Sequence, residues 1–269
     1  MILVNGEEIR FTRFPDGTTS FRYDPDSERW YLDDTVITWK YDGDHECILM
    51  WYLVNHIRSD RFPYIRLYMP YVPNARMDRV KQRDEVLTIK WFADFINSLK
   101  FGSVTILDPH SNVAPALINN VYIIQPKKYI EAAIEDIDDE DLLICYPDEG
   151  AVKRYSDLIR AEYIFGIKHR DWRSGEIERL ELTSSEKVNG RNVLIVDDIC
   201  SRGGTFTHTA RALKEAGANN IFLYVSHCEN TIFNGSVLTD GLISRIYTTD
   251  SIYRGEHEKI TILQDQGEE

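Results

Sequence analysis

One stretch of the chain, residues 193–205, constrains the fold more than any other. It reads VLIVDDICSRGGT, so an apolar run ends in two adjacent carboxylates and is followed by a loop with two glycines. The next segment, residues 206–216, has the composition of a helix. Glycines let backbone N–H groups approach a phosphate, and a helix N-terminus attracts an anion. The stretch therefore predicts a buried strand, a phosphate-sized loop and a helix, with Asp197 and Asp198 placed to hold sugar hydroxyls.

Strand-like and helix-like segments alternate along the rest of the chain. Residues 2–31 combine short apolar stretches with turn signals such as Asn5-Gly6, which predicts short strands and hairpins. Further strands are predicted at residues 36–41, 64–71, 103–107, 142–146, 163–167, 178–182, 221–226, 243–247 and 260–263, and helices at 47–57, 85–99, 152–158 and 206–216. The alternation predicts an α/β fold of two similar lobes, residues 1–130 and 131–269, each a mainly parallel sheet flanked by helices.

Composition limits the partners that the chain can bind. The formal net charge of −13 argues against a general nucleic-acid binder, which is normally basic. No apolar run approaches the ~20 residues of a membrane span. The first ten residues lack the features of a signal peptide, so we expect no membrane association and a cytoplasmic protein. The four cysteines form no C-x-x-C pair, which indicates free thiols.

Two local clusters of basic residues nevertheless suit a small anionic ligand. Such a ligand needs only local positive charge, and arginine side chains fork onto phosphates with two parallel hydrogen bonds. The clusters are Arg76, Arg79, Lys81 and Arg83, and Lys168, His169, Arg170 and Arg173.

Several motifs, taken in order, resemble those of one enzyme family. Residues 193–205 resemble the phosphoribosyl-diphosphate binding signature of type I phosphoribosyltransferases. The other motifs are FPDG at 14–17, PYVPNARMDR at 70–79, DPH at 108–110, PDEG at 147–150 with Lys153 and Arg154, KHR at 168–170 and TTDSI at 248–252. Together they resemble the ribose-phosphate diphosphokinase family, also called phosphoribosyl-diphosphate synthetases, over residues 14–252.

The resemblance implies two phosphoribosyltransferase-type lobes and a specific reaction. The β,γ-diphosphate of ATP would pass to the anomeric 1-hydroxyl of a ribose 5-phosphate moiety, with release of AMP. Implied partners are ATP, the acceptor sugar, Mg²⁺ as cofactor, and further copies of the chain in a homo-oligomer built from dimers. The residues implied are Phe14, Asp16, Arg76, Met77, Asp78 and Arg79 for ATP, Lys168 and Arg170 for catalysis, His110 and Asp148 for the metal, and Asp197, Asp198, Ser201, Arg202, Gly203, Gly204 and Thr205 for the ribose phosphate.

The residue types suit this chemistry independently of the resemblance. Phosphoryl transfer depends on positioning and on neutralising the charge of the polyphosphate, which requires several cations and a divalent metal. His110 and Asp148 each follow a predicted strand, so both can reach a magnesium ion directly or through water.

The chain departs from the family pattern in its phosphate loop. The family loop reads D-T-x-G-T, whereas here Ser201 replaces the acidic residue and Arg202 the small hydroxyl residue. Both changes make the pocket more positive, and an arginine suits a second phosphate. Two acceptors therefore stay open: ribose 5-phosphate, or its 5′-ester ADP-ribose, which a viral NAD-restoring branch of the family implies. Met77 and Thr18 also differ from the family's Gln and Glu in the ATP half.

Two rival functions share part of this pattern. A nucleobase or nicotinamide phosphoribosyltransferase would share residues 193–205 but would not need the motifs at 76–79 and 108–110. A non-catalytic regulator associated with such a synthetase would share the fold. The presence of His110, Lys168 and Arg170 argues against the regulator.

Overall fold

The computed structural model of the chain describes residues 1–22, 34–60, 64–170 and 177–264. The chain divides into two compact units, Met1–Gln125 and Pro126–Glu269. Each unit has its own sheet and its own hydrophobic core. Both sheets are mainly parallel and flanked by helices, which confirms the α/β fold predicted from the alternating segments.

The first unit contains one six-stranded sheet and a separate hairpin. Its elements are β1 (Ile2–Val4), β2 (Glu7–Glu8), β3 (Phe11–Arg13), β4 (Thr19–Phe21), β5 (Asp34–Trp39), α1 (His45–Asp60), β6 (Tyr64–Tyr68), α2 (Thr88–Ser98), β7 (Ser103–Leu107), α3 (Val113–Leu117) and β8 (Val121–Ile124). The sheet order is β2-β1-β5-β6-β7-β8, in which β5 to β8 are parallel and β1 is antiparallel to both neighbours. Strands β3 and β4 form the hairpin.

The second unit contains a seven-stranded sheet. Its elements are α4 (Lys127–Ile137), β9 (Leu143–Tyr146), α5 (Glu149–Tyr155), β10 (Tyr163–Arg170), β11 (Ile177–Leu182), β12 (Val193–Cys200), α6 (Gly204–Glu215), β13 (Ile221–Cys228), β14 (Arg245–Thr249) and β15 (Ile260–Leu263). The order is β11-β10-β9-β12-β13-β14-β15, and only the β10–β11 pair is antiparallel.

Hydrophobic periodicity explains why these segments form helices and central strands. In α2, the residues at helical spacing, Ile89, Phe92, Ala93 and Ile96, are all buried against the first sheet's core. In β12, four consecutive apolar residues from Val193 are fully buried, as expected for a parallel strand that is covered on both faces. The carboxyl end of β12 is therefore held rigidly by its neighbours β9 and β13.

Some elements differ from the sequence prediction. Helix α5 begins at Glu149, three residues before the predicted start, because Asp148 caps it: its Oδ1 accepts a hydrogen bond from the Ala151 N–H at 3.1 Å. Helix α4, which was not predicted, ends at Ile137, and the next residue, Asp138, adopts a left-handed conformation. The prediction missed α3 and β8. Part of the predicted 2–31 region, residues 23–31, lies outside the described residues.

The helices of the described part of the chain are too short or too polar to cross a bilayer. The longest of them, α1, has 16 residues.

Candidate active site

The loop after β12 joins a buried strand to the longest helix of the second unit. Strand β12 continues through both aspartates to Cys200, so the loop begins two residues later than the sequence suggests. Gly203 has a φ of +79°, and an added Cβ there would lie 2.6 Å from Val237 Cγ1, so a side chain does not fit. At Gly204, where α6 begins, an added Cβ would meet nothing within 4 Å. The N-terminus of α6 is thus open to a phosphate.

Asp197 and Asp198 form a pair of adjacent carboxylates beside this loop. Asp198 is buried, and its Oδ2 lies 3.1 Å from the Arg154 guanidinium of α5. Burial raises the pKa of Asp197 well above its usual value, and the negative charge of Asp198 adds to that effect. The pair therefore combines Asp198, whose charge is balanced by Arg154, with Asp197, which tends to hold its proton. Such a pair can both accept and donate hydrogen bonds to sugar hydroxyls.

Lys168, on β10, and Asp148, which follows β9, form a second charged pair, and β9 is the neighbour of β12. The Lys168 ammonium at the end of β10 donates to Asp148 Oδ2 at 2.7 Å, and Asp148 also caps α5. Burial alone would raise the pKa of Asp148, but the hydrogen bond and charge of Lys168 bring it below its usual value. Asp148 therefore stays ionised at neutral pH and holds the ammonium at the carboxyl edge of the sheet.

Arg170 is the last residue of β10, after an irregularity in the β10–β11 pairing between residues 169 and 170. Its side chain lies outside the described residues, so its catalytic role stays a prediction.

In the first unit, the predicted ATP segment forms an ordered turn after β6. Asp78 is almost fully buried and pairs with the exposed Arg79 at 2.8 Å. The hydrogen bond from Arg79 lowers the pKa of Asp78, and a hydrogen bond from Ser111 and the charge of His110 act in the same direction. The structure thus brings the motif at 76–79 together with the one at 108–110. Arg76 is exposed, and Met77 closes a turn through its N–H to Asn74 O at 2.9 Å.

The predicted adenine-contacting residues lie on the β3–β4 hairpin. Phe14 is 55% exposed at its tip, and a cavity of about 560 Å³ lies against the hairpin and is lined by Phe14, Arg10 and Arg22. Asp16 forms the turn itself, because its Oδ1 accepts hydrogen bonds from the Thr18 N–H at 2.9 Å and the Thr18 hydroxyl at 2.7 Å. The ATP contacts of both residues stay predictions.

The predicted metal ligands do not form a complete protein site. Within the part of the chain that the structure describes, no group of three or more His, Cys, Asp or Glu side chains could hold a metal ion. Mg²⁺ often takes only one or two carboxylates from the protein and its remaining oxygens from substrate phosphates and water. The ionised Asp148 fits that mode, and His110 stays a prediction.

Comparison with known proteins shows which enzymes the chain is similar to. The phosphoribosyl transferase domain family matches residues 124–231, which include β9, β12 and the loop. The chain is 28% identical to a ribose-phosphate pyrophosphokinase of Pyrococcus abyssi over 246 residues, 88% of this chain and 79% of that protein. It is also 28% identical to that of Saccharolobus solfataricus, over 80% and 74% of the two chains. The chain is thus similar to ribose-phosphate pyrophosphokinases over most of its length.

A solved member of the family has the same fold. The crystal structure of phosphoribosylpyrophosphate synthetase from Mycobacterium smegmatis superposes with a TM-score of 0.77 at 17% identity, covering 96% of this chain and 86% of that one. The phosphoribosyl transferase domain accounts only for the second unit, whereas the pyrophosphokinase relatives match both units. The chain is therefore a ribose-phosphate pyrophosphokinase-like enzyme rather than a nucleobase phosphoribosyltransferase.

In this pyrophosphokinase-like chain, a segment that the sequence analysis missed supports the phosphate loop. The Thr231 hydroxyl lies 3.0 Å from the Ser201 hydroxyl and donates to Glu229 Oε2 at 3.0 Å. Gly235 approaches the Arg202 carbonyl so closely that an added Cβ would lie 1.8 Å from its oxygen. We name residues 229–237 the loop support. Its only sequence signal is Gly235, which marks a close backbone approach but not its partner.

The Asp197–Asp198 pair predicts a specific pH dependence of stability. The folded enzyme holds a proton on Asp197 more tightly than the unfolded chain does, so the contribution of Asp197 to the free energy of unfolding should fall as the pH rises above about 4, the usual aspartate pKa. Asp197→Asn removes this fall, and we expect a higher urea midpoint than for the wild-type chain at pH 7. Urea unfolding between pH 4 and 8 measures it, with the exposed Asp157→Asn as the control. Parallel stability curves for the wild type and Asp197→Asn would contradict it.

Proposed function

We propose that the protein transfers the β,γ-diphosphate of ATP to the anomeric 1-hydroxyl of a ribose 5-phosphate moiety and releases AMP. The observation that carries this proposal is the arrangement on one sheet edge of the second unit. The Asp197–Asp198 pair on β12 lies beside an open helix N-terminus. In the Lys168–Asp148 pair, Asp148 follows β9, the neighbour of β12, and Lys168 lies on β10, the next strand of the sheet. A sugar site, a phosphate site and a cation for a diphosphate thus occur together.

In the proposed reaction, the anomeric oxygen attacks the β-phosphorus of ATP. A bond forms between that oxygen and the β-phosphorus, the bond from the β-phosphorus to the α,β-bridging oxygen breaks, and AMP leaves with the bridging oxygen. The hydroxyl proton is released. Asp197 and Asp198 orient the ribose hydroxyls, and the backbone N–H groups of residues 203–205 hold the 5-phosphate. Lys168 turns from Asp148 to the transferred diphosphate and stabilises its charge.

The first unit binds ATP in this proposal. Arg76 and Arg79 provide exposed guanidinium groups for the phosphates, and Phe14 provides an exposed ring for the adenine. Asp148 and phosphate oxygens would hold Mg²⁺, which would neutralise charge on the β- and γ-phosphates.

An acceptor assay tests the proposal. We expect AMP release only when ATP, Mg²⁺ and a ribose 5-phosphate moiety are all present, with the acceptor's mass raised by one diphosphate group in mass spectrometry. Ribose 5-phosphate and ADP-ribose are offered separately, since Ser201 and Arg202 leave both acceptors open. Turnover of ribose 5-phosphate alone would exclude ADP-ribose as the acceptor. No AMP release with either acceptor would contradict the proposed function.

We also propose that the protein is a homo-oligomer built from dimers, as the family resemblance implies. Light scattering on the purified chain tests this, and a monomer at micromolar concentration would contradict it.

A further inference from the structure

The carboxyl edge of the second sheet carries its functional groups in a fixed spatial order. Lys168 lies near the end of β10, Asp148 follows β9, and the phosphate loop follows β12. The next strand, β13, leads into a 3₁₀ helix, Asn230–Asn234, within the loop support, and β14 leads into residues 250–257. An acceptor whose anomeric carbon faces Lys168 and Asp148 therefore directs its 5′ side toward β13 and β14.

An exposed aromatic ring lies on that side of the loop. Phe233, in the 3₁₀ helix, is 46% exposed, and its ring stacks on the buried Tyr253 with centroids 6.2 Å apart at 28°. The centroid of the His257 ring lies 6.3 Å from that of Phe233. An added Cβ at Gly255 would lie 2.6 Å from the Phe233 ring, so this ring packs directly on backbone. One surface of Phe233 is thus supported by the fold, while much of the ring faces solvent.

The same short segment touches the phosphate loop on both sides of Phe233. Two residues before it, Thr231 hydrogen-bonds with Ser201 at 3.0 Å, and two residues after it, Gly235 packs on the Arg202 carbonyl. The Arg254 N–H donates to Asn230 Oδ1 at 3.0 Å, which ties the 3₁₀ helix to residues 250–254. Arg202 itself is exposed. A cation, Arg202, and an aromatic ring, Phe233, therefore lie one after the other beyond the site proposed for the 5-phosphate.

We propose that Phe233, supported by Tyr253, is a stacking subsite for a planar heteroaromatic base that the acceptor carries beyond its 5′-phosphate, with Arg202 binding the second phosphate between them. The inference rests on the proposed function, since it assumes that the loop binds the acceptor. The ligand class is a nucleoside diphosphate joined to ribose. Base stacking on an aromatic side chain tolerates any base, and guanidinium groups bind diphosphates well. Phe233 thus acts on acceptor choice and takes no part in the chemical step.

The test compares two acceptors that differ only in the group beyond the 5′-phosphate. We measure kcat/KM from AMP release with ADP-ribose and with ribose 5-phosphate, for the wild type and for Phe233→Leu and Phe233→Tyr. Leucine keeps apolar bulk without a ring, and tyrosine keeps the ring. The preference, defined as the ADP-ribose value over the ribose 5-phosphate value, should fall about 5- to 100-fold in Phe233→Leu. It should stay within about threefold in Phe233→Tyr, because the stacking face is retained.

A matched control removes an exposed aromatic ring elsewhere. Trp91 is 60% exposed on α2 of the first unit, and Trp91→Leu should leave the preference unchanged. Calorimetry without ATP gives the ratio of the association constants of ADP-ribose and ribose 5-phosphate. This ratio tests the same preference independently of turnover. An absence of AMP release would contradict the proposed function, while the binding ratio would still test the subsite. An unchanged ratio in Phe233→Leu, or an equal loss for both ligands, would overturn the subsite.

Discussion

Replacing Lys168 with alanine should lower turnover about 10²- to 10³-fold and leave the ATP dissociation constant nearly unchanged. The Lys168 ammonium is largely buried and is held by Asp148 at 2.7 Å, at the edge of the sheet that carries the aspartate pair. In the proposed reaction it stabilises the charge of the diphosphate group during its transfer. Such fixed charges act mainly on the transition state. The arginines that we propose for ATP binding belong to the other unit. Steady-state AMP release and an ATP titration by calorimetry measure the two effects.

Lys187→Ala is the matched control for this variant. Lys187 lies in the same unit and also pairs with a carboxylate, Glu162, at 2.9 Å, but the pair is exposed. Exposed pairs contribute about 0–1 kcal/mol to stability, so this variant should keep the wild-type rate. An undiminished rate in Lys168→Ala would favour a different mechanism or the non-catalytic regulator. A parallel loss of ATP binding would indicate a general structural defect.

The fold of the second unit could be predicted because its strands and helices have strong hydrophobic signals. Strand β12 has four consecutive buried residues, and β15 was predicted with its observed bounds. Helix α4 was missed although it has an apolar face, because acidic residues at its end gave the segment the composition of a surface turn. The start of α5 was misplaced because Asp148 was considered only as a metal ligand. Its side chain also satisfies the Ala151 N–H, and a sequence motif does not separate these two roles.

The candidate site, too, could be predicted only in part. The sequence placed Asp197, Asp198 and Lys168 at the ends of predicted strands, and the structure brings them to one sheet edge, with β9 between β10 and β12. Their partners could not be predicted, because the Asp198–Arg154 and Lys168–Asp148 pairs join residues on different elements. The loop support could not be predicted from the sequence either. Contacts such as Thr231 with Ser201 depend on how β13 and β12 lie side by side, and no local pattern records that.

Gly235→Ala should lower kcat/KM for the acceptor about 10²-fold, although residue 235 touches no substrate in the proposed reaction. An added Cβ would lie 1.8 Å from the Arg202 oxygen and 2.7 Å from its carbonyl carbon. Both are backbone atoms, so no side-chain rotation relieves the clash, and the phosphate loop must move. A displacement of about 1 Å in a group that positions substrate can reduce the rate by that factor. Steady-state kinetics with the acceptor varied at saturating ATP measure the loss.

Asn234→Ala separates this effect from a general disturbance of the loop support. Asn234 is the neighbouring residue and its side chain is exposed, so we expect acceptor kinetics like those of the wild type. The KM for ATP should stay constant in both variants, because the proposed ATP residues belong to the first unit. Overpacking costs about 1–3 kcal/mol, so the urea midpoint of Gly235→Ala should also fall. If Gly235→Ala loses stability but keeps its acceptor kinetics, the loop moves without affecting the 5-phosphate, and the phosphate site is not formed by residues 201–205.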